Sequence, residues 1–145
     1  MSTEGSSLFQ QWRRNSLALC SLAVALSALG YNSWRNESTE HNRNIRAAEF
    51  EMLKHLGEVQ QIIDYAAIRH DLQRGDLTAG LSRVLLIRDL GTLTPPDVDA
   101  CSEKLLASWV KHSDQLAQDK DAAAALSEDV LEARRTVLAS LKSLR

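Results

Sequence analysis

The sequence predicts an all-α fold, with a single N-terminal transmembrane helix followed by an antiparallel four-helix bundle-like domain. Three observations predict it. Residues 15–34 are twenty consecutive residues without a charge. Beyond them, apolar residues recur at steps of three and four, the spacing of one helix face. No run alternates with the two-residue period of a half-buried strand, and Val84–Ile87 is short and sits inside a helical pattern. The chain divides accordingly into a short polar tail at 1–14, a signal-anchor span at 15–34 and a helical bundle at 35–145.

As a helix, residues 15–34 would extend about 30 Å, the thickness of a bilayer core. Trp12 stands before this run, and Tyr31 and Trp34 stand at its far end. Aromatic rings at both ends suit the two membrane interfaces. Arg13, Arg14 and Arg35 flank the run and are placed to reach headgroups. These six residues are the expected interface anchors. A cleaved signal is the alternative, with Arg13 and Arg14 as its basic region, Leu17–Leu29 as its apolar core and Ala28-Leu29-Gly30 as a cleavage site. Within the run, Ser16, Cys20, Ala23, Ser27 and Gly30 share one helical face. Small residues on a face let a second helix approach closely in lipid. A second small stripe (Ala18, Ser21, Ala25, Ala28) weakens the directionality of the first.

Orientation rests on basic residues. Arg13 and Arg14 precede the span, while Arg35, Arg43, Arg46 and Lys54 follow it. The count favours a cytoplasmic C-terminal side, but the arginine pair abutting the run is the arrangement of a signal anchor. The expectation is a single-pass protein of the inner or plasma membrane, with its bundle outside the cytoplasm.

In the bundle, Ile45, Met52, Leu56, Val59, Ile63 and Ala66 step by seven, four, three, four and three. They predict a first helix reaching Arg74, widened by Phe50, Leu53 and Ala67 and stopped by Gly75. Asp76 or Thr78 would cap a shorter second helix that carries Leu81, Val84 and Leu85 and ends near Gly91. Pro95 and Pro96 mark the next helix start, with Asp97 and Asp99 at its positive end. That third helix would run to about Gln118 with Val98, Cys101, Leu105, Trp109 and Leu116 on its apolar face. Asp119 or Asp121 opens the fourth, whose seam is Leu126, Val130, Ala133, Val137, Leu141 and Leu144. Four amphipathic helices with short connections pack as an antiparallel bundle, with the first and fourth side by side.

The 145 residues carry a net charge of -2, which argues against a broadly basic nucleic-acid binder. Two cysteines are too few for a disulfide scaffold. Glu51, His55 and Glu58 lie at i, i+4 and i+7 and are the best metal candidates, but a solvated, locally paired helix face explains them too. No Glu-x-x-His pair, nucleophile elbow, phosphate loop or Cys-x-x-Cys occurs. Cys101 falls on an apolar stripe, as a buried thiol does. Arg69, Arg74, Arg83 and Arg88 gather around the second loop, interspersed with Asp64, Asp71, Asp76 and Asp89.

A bundle whose first helix continues from a membrane span resembles, in architecture, the four-helix extracytoplasmic sensor domains of bacterial chemoreceptors. The resemblance rests on no motif and implies no binding residue. The sequence thus points to a membrane-anchored, non-catalytic bundle that binds lipid and a protein partner or its own copy, without cofactor or metal. The alternative is a ligand-sensing module that signals through a separate membrane partner, with a pocket near the arginines of the second loop.

Overall fold

The structure is a computed structural model that describes residues 5–144, with side chains described at 15, 16 and 18–144. It contains four α-helices and no strand among these residues: α1 (Gly5–Ala67), α2 (Leu77–Gly91), α3 (Pro96–His112) and α4 (Lys120–Ser143), with a 3-10 turn at Ser113–Gln115. The chain forms two compact units, 1–41 and 42–145, and α1 contributes to both.

Within residues 42–145, cross-helix contacts fix the topology. Glu49 meets Ser140 and Gln60 meets Ser127, so α1 and α4 run antiparallel and adjacent. Glu58 meets Arg83, and the turn at Gly75 lies against Ala66, so α2 returns along α1. Gly80 faces Trp109 and Gly91 faces Ser102, which sets α3 antiparallel to α2. Lys104 bridges Asp129 and Glu132, which joins α3 to α4. This is an up-down-up-down four-helix bundle.

The core follows the expected seams closely. Met52, Leu56, Val59, Ile63 and Ala66 from α1 are buried together with Leu126, Val130, Ala133 and Val137 from α4. Val98, Leu105 and Trp109 complete it from α3, and Leu116 from just beyond the 3-10 turn. Each fully buried Leu, Ile or Val contributes roughly 1.5–3 kcal/mol. Asp76 caps α2 by accepting from Thr78 N at 2.8 Å, and Asp119 caps α4 by accepting from Asp121 N at 2.8 Å.

Several local expectations are corrected. α1 ends at Ala67, not Arg74. His70 takes a left-handed conformation (φ 51°), and the Asp71 carboxylate accepts from the backbone N–H groups of Gln73 and Arg74, so the chain folds into a turn. Gly75 is not a helix stop but a point of close approach, where a Cβ would lie 2.6 Å from Ala66 N. α3 stops at His112, and the 3-10 turn carries the chain on to Leu116. Phe50 does not widen the seam; it is 63% exposed. On α2, Leu81 and Leu85 lie on the surface, and the buried positions are Gly80, Val84, Ile87 and Gly91. The two glycines let α3 close in, since a Cβ at Gly80 would overlap the Trp109 indole and one at Gly91 would overlap Ser102 Oγ.

Candidate functional site

α1 passes through residues 15–34 without a break. A helix there follows from the Leu and Ala content, both strong helix formers. Its apolar side chains have nothing to pack on: Leu19, Leu22, Val24, Leu26 and Leu29 are 56–69% exposed. Leu19, Leu22, Leu26 and Leu29 step by three, four and three and so share one face of the helix, while Val24 lies on the opposite side. Tyr31 and Trp34 are also exposed, and their rings stand 6.2 Å apart at 48°. Just beyond, the Thr39 hydroxyl donates to the Arg35 carbonyl at 2.9 Å.

Against the expectation of a transmembrane helix, no helix among the described residues is long and apolar enough to cross a membrane. The physical reason is dilution: ten of the twenty residues from 15 to 34 are Ala, Ser or Asn. Of the anchors, Tyr31, Trp34 and Arg35 lie exposed on α1, whereas the side chains of Trp12, Arg13 and Arg14 are outside the described residues. On the small-residue face, Cys20, Ala23, Ser27 and Gly30 are exposed and Ser16 is half-buried. A Cβ at Gly30 would meet nothing within 4 Å. The competing stripe of Ala18, Ser21, Ala25 and Ala28 is equally exposed, so exposure does not single out one face.

The metal candidates separate. Glu51 pairs with Lys54 at 3.2 Å, while His55 turns inward and is 7% exposed. His55 Nδ1 lies 2.9 Å from Glu58 Oε2, and Arg83 Nε lies 2.6 Å from the same oxygen. The hydrogen bond to His55 and the charge of Arg83 hold the Glu58 carboxyl below the usual range. The trio ties α1 to α2, and no group of three His, Cys, Asp or Glu among the described residues is placed to hold a metal ion.

The arginine cluster is likewise distributed. Arg69 and Arg74 sit over the Tyr65 ring at 5.9 and 5.5 Å, Arg83 serves Glu58, and Arg88 faces Asp89 and Glu103. Beside them is a shallow groove of about 280 Å³ that takes in Asp64, Tyr65 and Arg69 but not Arg74, Arg83 or Arg88. A larger, partly open groove of about 520 Å³ lies at the same end of the bundle, bordered by Ile68, His70, Leu116 and Lys120. Nothing in the sequence pattern signalled it, because turns that are distant in sequence form its rim.

Cys101 is half-buried and donates to the Val98 carbonyl at 3.1 Å. Burial pushes its thiol up to about 11, the opposite of what a nucleophile needs. The most unusual buried group is Glu49, which sits fully buried between α1 and α4. Its Oε1 accepts from the Ser140 hydroxyl at 2.5 Å, and its Oε2 has no hydrogen-bond partner.

No known protein family, curated protein or solved structure matches this chain. The functional case therefore rests on geometry and chemistry alone.

Proposed function

We propose that this protein is a single-pass, membrane-anchored helical bundle that works by binding other proteins and performs no catalysis. One observation carries the proposal: a helical stretch of twenty uncharged residues whose described large apolar side chains are all more than half exposed. Burying such a surface is worth roughly 25 cal/mol per Å², so in water it calls for a cover. Lipid provides one with the right dimension, about 30 Å, and with aromatic and arginine residues at the margins.

The modest leucine content shapes the role. A weakly apolar span gains little from lipid alone, and the small side chains at Cys20, Ala23, Ser27 and Gly30 permit close packing by another helix. We assign the segment to association with a partner span or a second copy of this chain. The bundle then lies outside the cytoplasm, on the far side of an inner or plasma membrane.

The test is flotation of the full chain with membranes, followed by extraction at high pH and by protease treatment of intact spheroplasts carrying a C-terminal tag. Retention in the membrane at alkaline pH, with the tag removed by external protease, supports the assignment. Release into the soluble fraction overturns the anchor, and protection of the tag until lysis reverses the orientation.

A second function has its own observation, the groove of about 520 Å³ beside His70 and Lys120. A bundle that senses a small ligand would bind it there, not among the arginines. A thermal-shift screen in which no compound stabilises the protein removes that alternative.

A further inference from the structure

We propose that Glu49 is a proton-operated latch in the α1–α4 seam: the seam closes on the neutral carboxylic acid and loosens at the Asn42 end when that acid ionises. This is independent of the membrane anchor.

The geometry carries it. Glu49 has no exposure to solvent. A carboxylate in such a position needs a cation or several donors. It has one donor, the Ser140 hydroxyl at 2.5 Å, while Oε2 has none. No cation among the described residues pairs with it. On α1, Arg46 is spent on the Leu144 carbonyl. On α2, Arg83 belongs to Glu58 and Arg88 to Asp89 and Glu103. The charged group that acts on Glu49 from α3 is Asp97, of like sign. From α4 it receives only the neutral Ser140.

Burial first, and then Asp97, push the Glu49 carboxyl above the usual range, against the lowering effect of the Ser140 bond. Neutral Glu49 can place its own proton in the short bond to Ser140 and leave Oε2 as a weakly polar carbonyl oxygen. The ionised form leaves a buried charge with a single donor. Parting α1 from α4 at this level admits water and relieves it. A group whose pKa is higher closed than open makes opening about tenfold easier for each pH unit between the two values.

The experiment is hydrogen exchange on the full chain in one mild detergent from acidic to neutral pH, corrected for the intrinsic pH dependence of exchange. Segments 45–52 and 137–144 are expected to open progressively more, by at most about tenfold per pH unit, as pH rises across the Glu49 titration, while Val59–Ala66 and Leu105–Trp109 stay constant. Glu49→Gln is expected to abolish that rise. Asp97→Asn, on the surface, is expected to move it to lower pH without disturbing the fold. Seam exchange that does not vary with pH in the unmodified chain, or an Asp97→Asn profile that superimposes on it, overturns the latch. So does a folded Glu49→Gln protein that keeps the rise.

Discussion

Gly80 lies directly beneath the Trp109 indole, so close that a methyl group added at Gly80 would overlap the ring carbons Cη2 and Cζ2. The glycine is the space into which the largest core side chain fits, and it sets how near α2 and α3 approach. Gly80→Ala should therefore destabilise the bundle although alanine is the better helix former. Overpacking costs about 1–3 kcal/mol and the propensity gain offsets about 0.5–1, for a net loss of up to about 2.5 kcal/mol in urea unfolding. Gly57→Ala is the matched control: nothing lies within 4 Å of its added Cβ, so it should gain about 0.5–1 kcal/mol.

The two Asp caps should each be worth a measurable amount. Asp119→Ala removes the carboxylate that holds Asp121 N, and Asp76→Ala the one that holds Thr78 N. Each substitution should lower stability by about 0.5–2 kcal/mol, and the corresponding Asn variants should recover most of it.

Glu58 makes the bundle sensitive to acid. Its folded pKa is depressed by His55 and Arg83, so its contribution is fully present above the ordinary carboxyl value of about 4.5. That contribution fades as pH falls through the lower, folded value. Glu58→Gln should flatten the acid limb of a stability-versus-pH curve measured by urea unfolding. An unchanged limb would show that the α1–α2 tie is energetically idle.

The two cysteines should report separately on the two units. Cys101, with its thiol pushed up to about 11, should resist alkylation at neutral pH until the bundle unfolds. Cys20 is exposed on the apolar stretch and should react readily in water. If the stretch lies in a bilayer, Cys20 should become protected in vesicles, with Cys101 unchanged. Mass mapping after a timed alkylation measures both.

Charge in the apolar stretch should abolish anchoring without touching the bundle. Leu22→Arg or Val24→Arg places a cation at the middle of the proposed span, at a cost of about 2.5–3.5 kcal/mol. Each variant should lose membrane flotation while retaining the thermal transition of the bundle.

The seams of α1 and α4 were legible because each is written in large apolar residues at helical steps, from Met52 to Ala66 and from Leu126 to Val137. α2 was not. Its inward face is Gly80, Val84, Ile87 and Gly91, and a glycine carries no hydropathy signal even when its smallness is what the packing requires. Leu81 and Leu85, which looked like a core face, are surface residues. Buried polar positions were also hidden, since no helical period or motif marks Glu49, Ser102 and Ser140 as facing the neighbouring helices. The turn after Ala67 depends on one left-handed histidine and an Asp side chain, local features too short to outweigh an apolar period. As for the candidate sites, the exposed stretch at 15–34 was plain from its lack of charge. The groove beside His70 arises only when two turns meet.

The pairing of Glu49 with Ser140 also has a consequence for biosynthesis. These partners are 91 positions apart, and the Arg46–Leu144 contact joins positions 98 apart. At about 5–20 residues per second, α1 waits many seconds on the ribosome before α4 exists to cover it. Through that interval Glu49 has no Ser140 to pair with, and the apolar seam of α1 has no α4 to cover it. Because burial in the seam raises the Glu49 carboxyl above its usual range, docking of the last helix becomes more favourable as pH falls.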